Sequence, residues 1–478
     1  MLAAEVNIGY STDLTEQTNI KMTKQKTSIP SFPSFRYFIH TFGCQMNEND
    51  SERLAGILEG MGAVKAAVLE ESTLILINTC AVRQKSEEKL YSLLGRLDRI
   101  KRKNGALIGV LGCVAQLYRD NLIEKKPTID FVMGPDNYGD LPDTLAGISS
   151  HDPQSKRVIT RFSREWHEIA DSLILRESSF SAYVTIMEGC DNFCSYCVVP
   201  FTRGREKFRP IRNILAEIQS LAKNNYREVL LLGQNVNSYK DPESGIGFVD
   251  LLKTVNSVEE IDWIRFITSH PKNFSPEIAQ TMAANRKICR QLHLPVQSGS
   301  SDILARMKRQ YTRDEYLENI AFIKVLMPDI ALSADIIVGY PGETEKDHKE
   351  TLSLLEEVRY TNIFSFRYSP RPRSAAAGEE DSVPLEVKRQ RLIEVQALQK
   401  DIQLSINRTF IGKNIKTLCT GKSKKDTGRY TGRSEGYQVI NFDAGCDVVG
   451  QFVQVEITSC GPYSLRGRMV ESKDACPH

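Results

Sequence analysis

Apolar residues along this chain fall into short continuous runs separated by helical stripes. Tyr37 to Thr41, Leu74 to Asn78, Ala106 to Leu111 and Ile129 to Met133 read as strands, with helices over Asn49–Met61, Gln84–Lys101 and from Val114. Such uninterrupted runs mark strands covered on both faces, and their alternation with helices predicts a parallel sheet in an αβα sandwich over residues 35–150. A second series follows in 183–407. Tyr183–Met187, Glu228–Leu232, Trp263–Thr268, Gln291–Pro295, Ala331–Val338 and Ile363–Tyr368 read as strands, with helices such as Ile214–Lys223 and Glu345–Val358 between them. Six such units predict a partial (β/α)6 barrel whose site lies in the loops at the C-terminal strand ends. A long helix, Pro384–Ile406, leads out of it. From 408 to 478 the pattern changes to short alternating segments between glycines, such as Tyr437–Phe442 and Gln451–Ile457, which predict a small all-β barrel. Residues 1–34 are polar and non-periodic and read as a flexible N-terminal tail, and 151–182 as a linker. The fold class is α/β with a terminal all-β domain.

The composition, 41% hydrophobic and 26% charged, is that of a globular protein. The longest apolar run, Ala106–Leu117, is too short to span a bilayer, so no membrane partner is expected. No basic segment precedes an apolar core near Met1, so no secretory signal is expected. Eleven cysteines without regular spacing argue against a disulfide framework and for a reducing, cytoplasmic compartment. The net charge of +2 is uninformative, but its distribution is not. Residues 408–433 hold eight Lys or Arg against one acid, Asp426. A basic stripe with Tyr430 among it, on a small β-barrel, suits RNA.

Each of the first three strands is followed by one cysteine, in Gly43-Cys44-Gln45-Met46-Asn47, Asn78-Thr79-Cys80-Ala81-Val82-Arg83 and Gly112-Cys113-Val114-Ala115-Gln116. Parallel strands end on one edge, where ligands bind, so the three thiols can converge. A lone buried cysteine acts as a small hydrophobe; three at equivalent positions point to ligation. The first barrel strand runs into Cys190-x3-Cys194-x2-Cys197. A cuboidal iron–sulfur cluster usually takes four cysteines, so three leave one iron open. A zinc ribbon would need a second Cys or His pair, and the next cysteine is the isolated Cys289. Cys289, Cys419, Cys446, Cys460 and Cys476 lack partner spacing and are read as non-ligands.

The Cys190–Cys197 loop, with Tyr196 before its last cysteine, resembles the signature of radical S-adenosylmethionine enzymes. The six cysteines in order, followed by a basic β-barrel of the kind called TRAM, resemble the methylthiotransferase family across residues 36–470. Phe193–Glu206 and Leu292–Gly299 are similar to the members that act on isopentenylated adenosine in tRNA. The resemblance implies insertion of a methylthio group at C2 of N6-isopentenyladenosine beside the anticodon, with two [4Fe-4S] clusters and S-adenosylmethionine. It implies that Cys190, Cys194 and Cys197 hold the cluster that makes a 5′-deoxyadenosyl radical. Cys44, Cys80 and Cys113 would hold the cluster that carries the sulfur. No side chain is expected to act as a conventional catalyst.

Expected cofactor contacts are Gln234, Asn235, Gln297, Asp335, Gly339, Gly342 and Glu343, each of which reads equally as a loop or turn residue. Expected RNA contacts are Arg203, Arg205, Lys413, Lys422, Lys424, Lys425, Arg429 and Arg433; Arg203, Arg205 and Arg209 could instead pair with acids between domains. His270 and His293 read as a proton relay or as structural histidines. Two positions depart from the family pattern: Ala334 stands where Thr is usual, and Arg373 where Gly is usual. Expected partners are a tRNA anticodon stem-loop, a flavodoxin- or ferredoxin-like electron donor and a sulfur or cluster-repair donor, with the chain a monomer. The rival readings are methylthiotransferases acting on threonylcarbamoyl-adenosine or on a ribosomal-protein aspartate, and a non-enzymatic iron–sulfur RNA-binding protein.

Overall fold

The computed structural model describes residues 35–82, 84–148, 157–170, 173–424, 426 and 428–470. The expected N-terminal tail, Lys425 and Cys476 lie outside them.

The first domain is a six-stranded sheet in the spatial order Val64–Lys65, Arg36–Phe42, Leu74–Thr79, Leu107–Leu111, Phe131–Met133, Arg157–Ile159, with every neighbouring pair parallel. The central strand Leu74–Thr79 is buried throughout. Side chains alternate between faces along a strand, so each face needs its own cover. Ile75 and Ile77 meet Leu90, Leu94 and Leu97 of the helix Gln84–Asn104, while Leu74 and Leu76 meet Leu54, Ile57 and Leu58 of the helix Gln45–Gly60. Two expectations are corrected. The latter helix starts directly after Cys44 rather than at Asn49. The segment expected as a linker adds the sixth strand, Arg157–Ile159, against Phe131–Met133.

The second domain has the six expected parallel strands, Ser181–Thr185, Glu228–Leu232, Trp263–Phe266, Gln291–His293, Ala331–Val338 and Asn362–Arg367. They form two three-stranded halves, and Ile264 bridges to Ile288 between them. Val229, Leu231, Ile264 and Ile336 share one large core with Ile214 and Ile218 of the helix Ile211–Lys223 and with Leu354 and Leu355 of Glu345–Val358.

The helix Leu385–Arg408 leads to a closed five-stranded barrel, in the order Asn414–Lys422, Tyr430–Ser434, Val439–Asp443, Leu465–Met469, Phe452–Cys460. Tyr430, expected among the RNA-facing residues, is buried inside it and stacks on Phe442. The small barrel docks where the strands of the second domain begin. The Trp263 and Phe452 rings meet edge to face at 4.6 Å. Arg265 pairs with Glu228 at 2.7 Å and donates to the carbonyl of Ser434 at 2.8 Å. The cysteine loop lies beyond the opposite, C-terminal strand ends. No described helix is long and apolar enough to cross a membrane.

Candidate functional site

Cys44, Cys80 and Cys113 sit just beyond the ends of three adjacent parallel strands. The Cys80 amide donates to the Phe42 carbonyl at 2.8 Å, which extends the ladder to the site. Gly112 turns the chain at φ +85, where a Cβ would lie 2.4 Å from Asn78 Oδ1, so glycine is required. Two buried asparagines tie the first two loops together: Asn47 Nδ2 donates to Asn78 Oδ1 at 3.0 Å, and Asn78 Nδ2 to the Asn47 carbonyl at 2.8 Å. The neighbouring Cys80 thiol lowers Cys44, and the proximity of Cys44 together with burial raises Cys80. Burial raises Cys113, opposed by the Arg203 guanidinium beside it.

The second triad follows the strand Ser181–Thr185. Gly189, at φ +83, brings the backbone against Arg205, where a Cβ would lie 2.0 Å from the Arg205 carbonyl oxygen. Asn192 Nδ2 donates to Cys190 Sγ at 3.4 Å and the Val199 amide to Cys197 Sγ at 3.4 Å. Arg309 Nη1 lies 3.5 Å and His270 Nε2 3.7 Å from Cys194 Sγ. Burial pushes Cys190 up to about 11 and Cys197 up to about 12. Thiols in such surroundings ionise when a metal supplies the positive charge.

All six cysteines are free thiols. Among the described residues no three His, Cys, Asp or Glu side chains are placed to hold one metal ion. Each set offers three thiols, the soft donors that iron–sulfur clusters take, one short of the usual four, so the chemistry of both donor sets fits a cluster with one open iron. Cys289, Cys419 and Cys460 are free thiols elsewhere, and Cys446 is disulfide-bonded, a pairing that the spacing did not suggest.

Two of the expected cofactor contacts lie against the cysteine loop. Gln234 Oε1 accepts from the Gly189 amide at 2.5 Å, and buried Asn235 donates to Glu206 at 3.2 Å and to Asn273 at 3.1 Å. Gln297 is buried at φ +78, a strained backbone for a non-glycine, with its amide donating to the Asp335 carbonyl at 2.9 Å. The Asp335 carboxylate is 31% exposed and lies 3.6 Å from His293 Nε2. Three further expected contacts have neighbours within the chain. Buried Glu343 pairs with Arg391 at 2.7 Å and accepts from the Gly339 amide at 2.8 Å. The spaces before Gly339 and Gly342 are filled by the side chains of Lys388 and Arg306. Ala334 lies in the barrel core; Arg373, at φ +71, occupies a conformation that costs a non-glycine roughly 1–2 kcal/mol.

Arg203 takes the alternative of pairing with acids between domains. It is 2% exposed, paired with Asp50 and 3.8 Å from Glu188, and so is closed to phosphate. Arg209 is likewise buried against Glu217 and Glu168. Arg205 is exposed at the rim, its guanidinium 4.4 Å from the Phe193 ring centroid. On the small barrel Lys413, Lys422 and Lys424 are exposed. Arg429 is held by Asp443 at 2.9 Å, and Arg433 stacks on Tyr437 at 4.7 Å.

Residues to which the sequence assigned no role join the domains beside Cys44, Cys80 and Cys113. Met46, two residues after Cys44, packs on Leu230 and Leu232 inside the barrel. Arg371 donates to the Val82 carbonyl at 3.2 Å and pairs with Glu87 at 3.2 Å, next to Cys80. Val198, just after Cys197, enters the core that contains Cys113. No periodicity marks such contacts, because their partners are remote in sequence.

Residues 36–134 match the uncharacterized protein family UPF0004, residues 184–355 the Radical SAM superfamily and residues 408–470 the TRAM domain. The chain also resembles a solved radical enzyme in fold. The radical S-adenosylmethionine methyltransferase TsrM from Kitasatospora setae superposes with a TM-score of 0.53 at 14% identity, covering 72% of this chain and 75% of that one, which speaks to the fold alone. Fold and paired cysteine triads thus define a radical S-adenosylmethionine protein with an added N-terminal cluster domain and a TRAM barrel.

Curated relatives narrow this. The chain is 43% identical over 438 residues to the tRNA-2-methylthio-N(6)-dimethylallyladenosine synthase of Clostridium botulinum (strain Langeland), covering 91% of this chain and 97% of that protein. It is 44% identical over 442 residues to the synthase of that name from Myxococcus xanthus, covering 91% and 94%. The chain belongs to the tRNA-2-methylthio-N(6)-dimethylallyladenosine synthase family.

Proposed function

We propose that this chain inserts a methylthio group at C2 of N6-isopentenyladenosine, next to the anticodon of tRNA. One observation carries the reading: the domain with the Cys190 loop grips the other domain beside each of its three site cysteines, through Met46, Arg371 and Val198. Two three-thiol sites held in one rigid frame suit a reaction in which one site activates the base and the other delivers sulfur. The names of the relatives favour the isopentenylated nucleoside over threonylcarbamoyl-adenosine and a ribosomal protein.

When bound, the two [4Fe-4S] clusters and S-adenosylmethionine supply the electron, the radical chemistry and the sulfur that substitution at an aromatic C–H requires. The chain's own residues bind and orient. Cys190, Cys194 and Cys197 hold one cluster, and Cys44, Cys80 and Cys113 the other. Asn47 and Asn78 fix the loops that carry Cys44 and Cys80. Gln234, Asn235 and Gln297, beyond strand ends, and Asp335, within the strand Ala331–Val338, orient S-adenosylmethionine. Extruding the target base from its stack into this mouth excludes water from the reacting carbon. Arg205 at the rim and Lys413, Lys422 and Lys424 on the terminal barrel neutralise RNA phosphates. An external low-potential electron donor of flavodoxin or ferredoxin type and a sulfur or cluster-repair donor complete the cycle, with the chain acting as a cytoplasmic monomer.

The test is anaerobic reconstitution, reduction, and incubation with S-adenosylmethionine and an isopentenylated anticodon stem-loop. Mass spectrometry then reads 5′-deoxyadenosine and the digested nucleosides. The parent yields both products; Cys44→Ala/Cys80→Ala/Cys113→Ala retains deoxyadenosine and loses the methylthio nucleoside; Cys190→Ala/Cys194→Ala/Cys197→Ala loses both. Deoxyadenosine without modified RNA in the parent sinks this substrate. Neither product, with both clusters intact, sinks the enzyme reading.

A further inference from the structure

We propose that Arg309 and His270 raise the reduction potential of the cluster on Cys190, Cys194 and Cys197 by directing a guanidinium and an imidazole N–H at one thiolate, Cys194. This rests on the cluster assignment above.

Arg309 is 4% exposed, and among the described residues no carboxylate lies within ion-pair distance of it. A buried guanidinium without a counter-charge is strongly unfavourable. Its orientation is set by two oxygen partners. Nε donates to the Tyr311 hydroxyl at 2.9 Å and Nη2 to the Pro295 carbonyl at 2.5 Å. The remaining arm, Nη1, points to Cys194 Sγ at 3.5 Å and to the Tyr196 hydroxyl at 3.4 Å. The negative group that this site is built to receive is a ligating thiolate.

His270 adds a second donor. Its Nδ1 accepts from the Lys272 amide at 3.2 Å, so the ring proton sits on Nε2, 3.7 Å from the same sulfur. The partners of the other two cysteines are neutral donors only, Asn192 Nδ2 and the Val199 amide. Cys194 is thus singled out for a charged contact and is the most buried of the three.

Reduction adds one electron, from an external one-electron reductant, and makes the cluster and its thiolates more negative. Hydrogen bonds and positive charge at a ligand sulfur favour that state. The guanidinium stays protonated throughout, so no proton accompanies the electron.

The test is a redox titration followed by electron paramagnetic resonance on the full-length chain carrying Cys44→Ala/Cys80→Ala/Cys113→Ala, so that one cluster gives the signal. In that background Arg309→Met should lower the reduced-to-oxidised ratio at fixed potential at least tenfold, about 59 mV for a one-electron couple. His270→Phe should shift it the same way by less, and His270→Gln, which restores an N–H near Nε2, should return it towards the parent. A midpoint is independent of the fraction of protein loaded, so a purely structural role lowers iron content without moving it. Unchanged or raised midpoints in both Arg309→Met and His270→Phe overturn the inference. Failure of the background chain itself to bind about four irons is a different result and overturns the cluster assignment instead.

Discussion

Arg203 and Asp50 form an ion pair across the boundary between the first two domains, with side chains only 2% and 1% exposed. Arg203 follows the last cysteine of one triad by six residues and its guanidinium lies beside Cys113 of the other. The pair therefore fixes how the two sites stand relative to each other.

Breaking this pair from one side strands a buried charge. Arg203→Met should destabilise the chain by about 3–5 kcal/mol, because buried Asp50 is left without the cation it pairs with. Asp50→Asn/Arg203→Met, which removes the central charges together, should cost less than Arg203→Met alone. Urea unfolding of all three proteins checks the order. A double variant less stable than Arg203→Met contradicts it.

Arg265 should control attachment of the terminal barrel. It pairs with Glu228 and donates to the Ser434 carbonyl, so Arg265→Met leaves Glu228 buried and unpaired and removes a tie across the seam. The expected loss is about 3–5 kcal/mol. Limited proteolysis should cut faster between Arg408 and Asn414, the joint between helix and barrel. Unchanged cleavage there means that the Trp263–Phe452 contact suffices.

Salt dependence separates the exposed lysines from the partnered arginines. Each single-stranded phosphate contact contributes a slope of about −0.7 to log K against log salt. Lys413→Ala/Lys422→Ala/Lys424→Ala should flatten the slope for RNA binding by about 2. Arg429→Ala/Arg433→Ala should change it less, because Asp443 and Tyr437 already engage those side chains. Electrophoretic shifts at several salt concentrations read both.

Glu168 should contribute to the acid limb of stability. Burial acts to raise it, but Arg209, Asn213 and Trp166 outweigh that and hold it below its ordinary value of 4.5. A depressed carboxyl stabilises the fold above its unfolded pKa, and the contribution is lost as pH falls through the lower folded value. Glu168→Gln should therefore narrow the difference in melting temperature between pH 6 and acid pH. A parent and variant that fall in parallel contradict the assignment.

Much of the architecture is legible along the chain because strands and helices write their periods locally. Leu74 to Asn78 is apolar without a break because both its faces are covered, and the glycine–cysteine and asparagine–threonine–cysteine turns mark strand ends without reference to anything distant. Boundaries were less legible. The helix at Gln45 starts directly at its cysteine cap, and Arg157–Ile159 is too short to show a period of its own.

The sequence by itself determined the three-domain order, the parallel strands and the two cysteine triads, since each is set by spacing within a few dozen residues. Tertiary structure alone decided the fate of the charges. Arg203 and Arg205 stand two residues apart, yet one is sealed against Asp50, 153 positions away, and the other is exposed at the rim. Glu343 is turned inward by Arg391, and the guanidinium of Arg309 is aimed at Cys194. A charged side chain carries no periodic signal. Whether it meets water, a carboxylate or a thiolate depends on surfaces that come together only when the chain has folded.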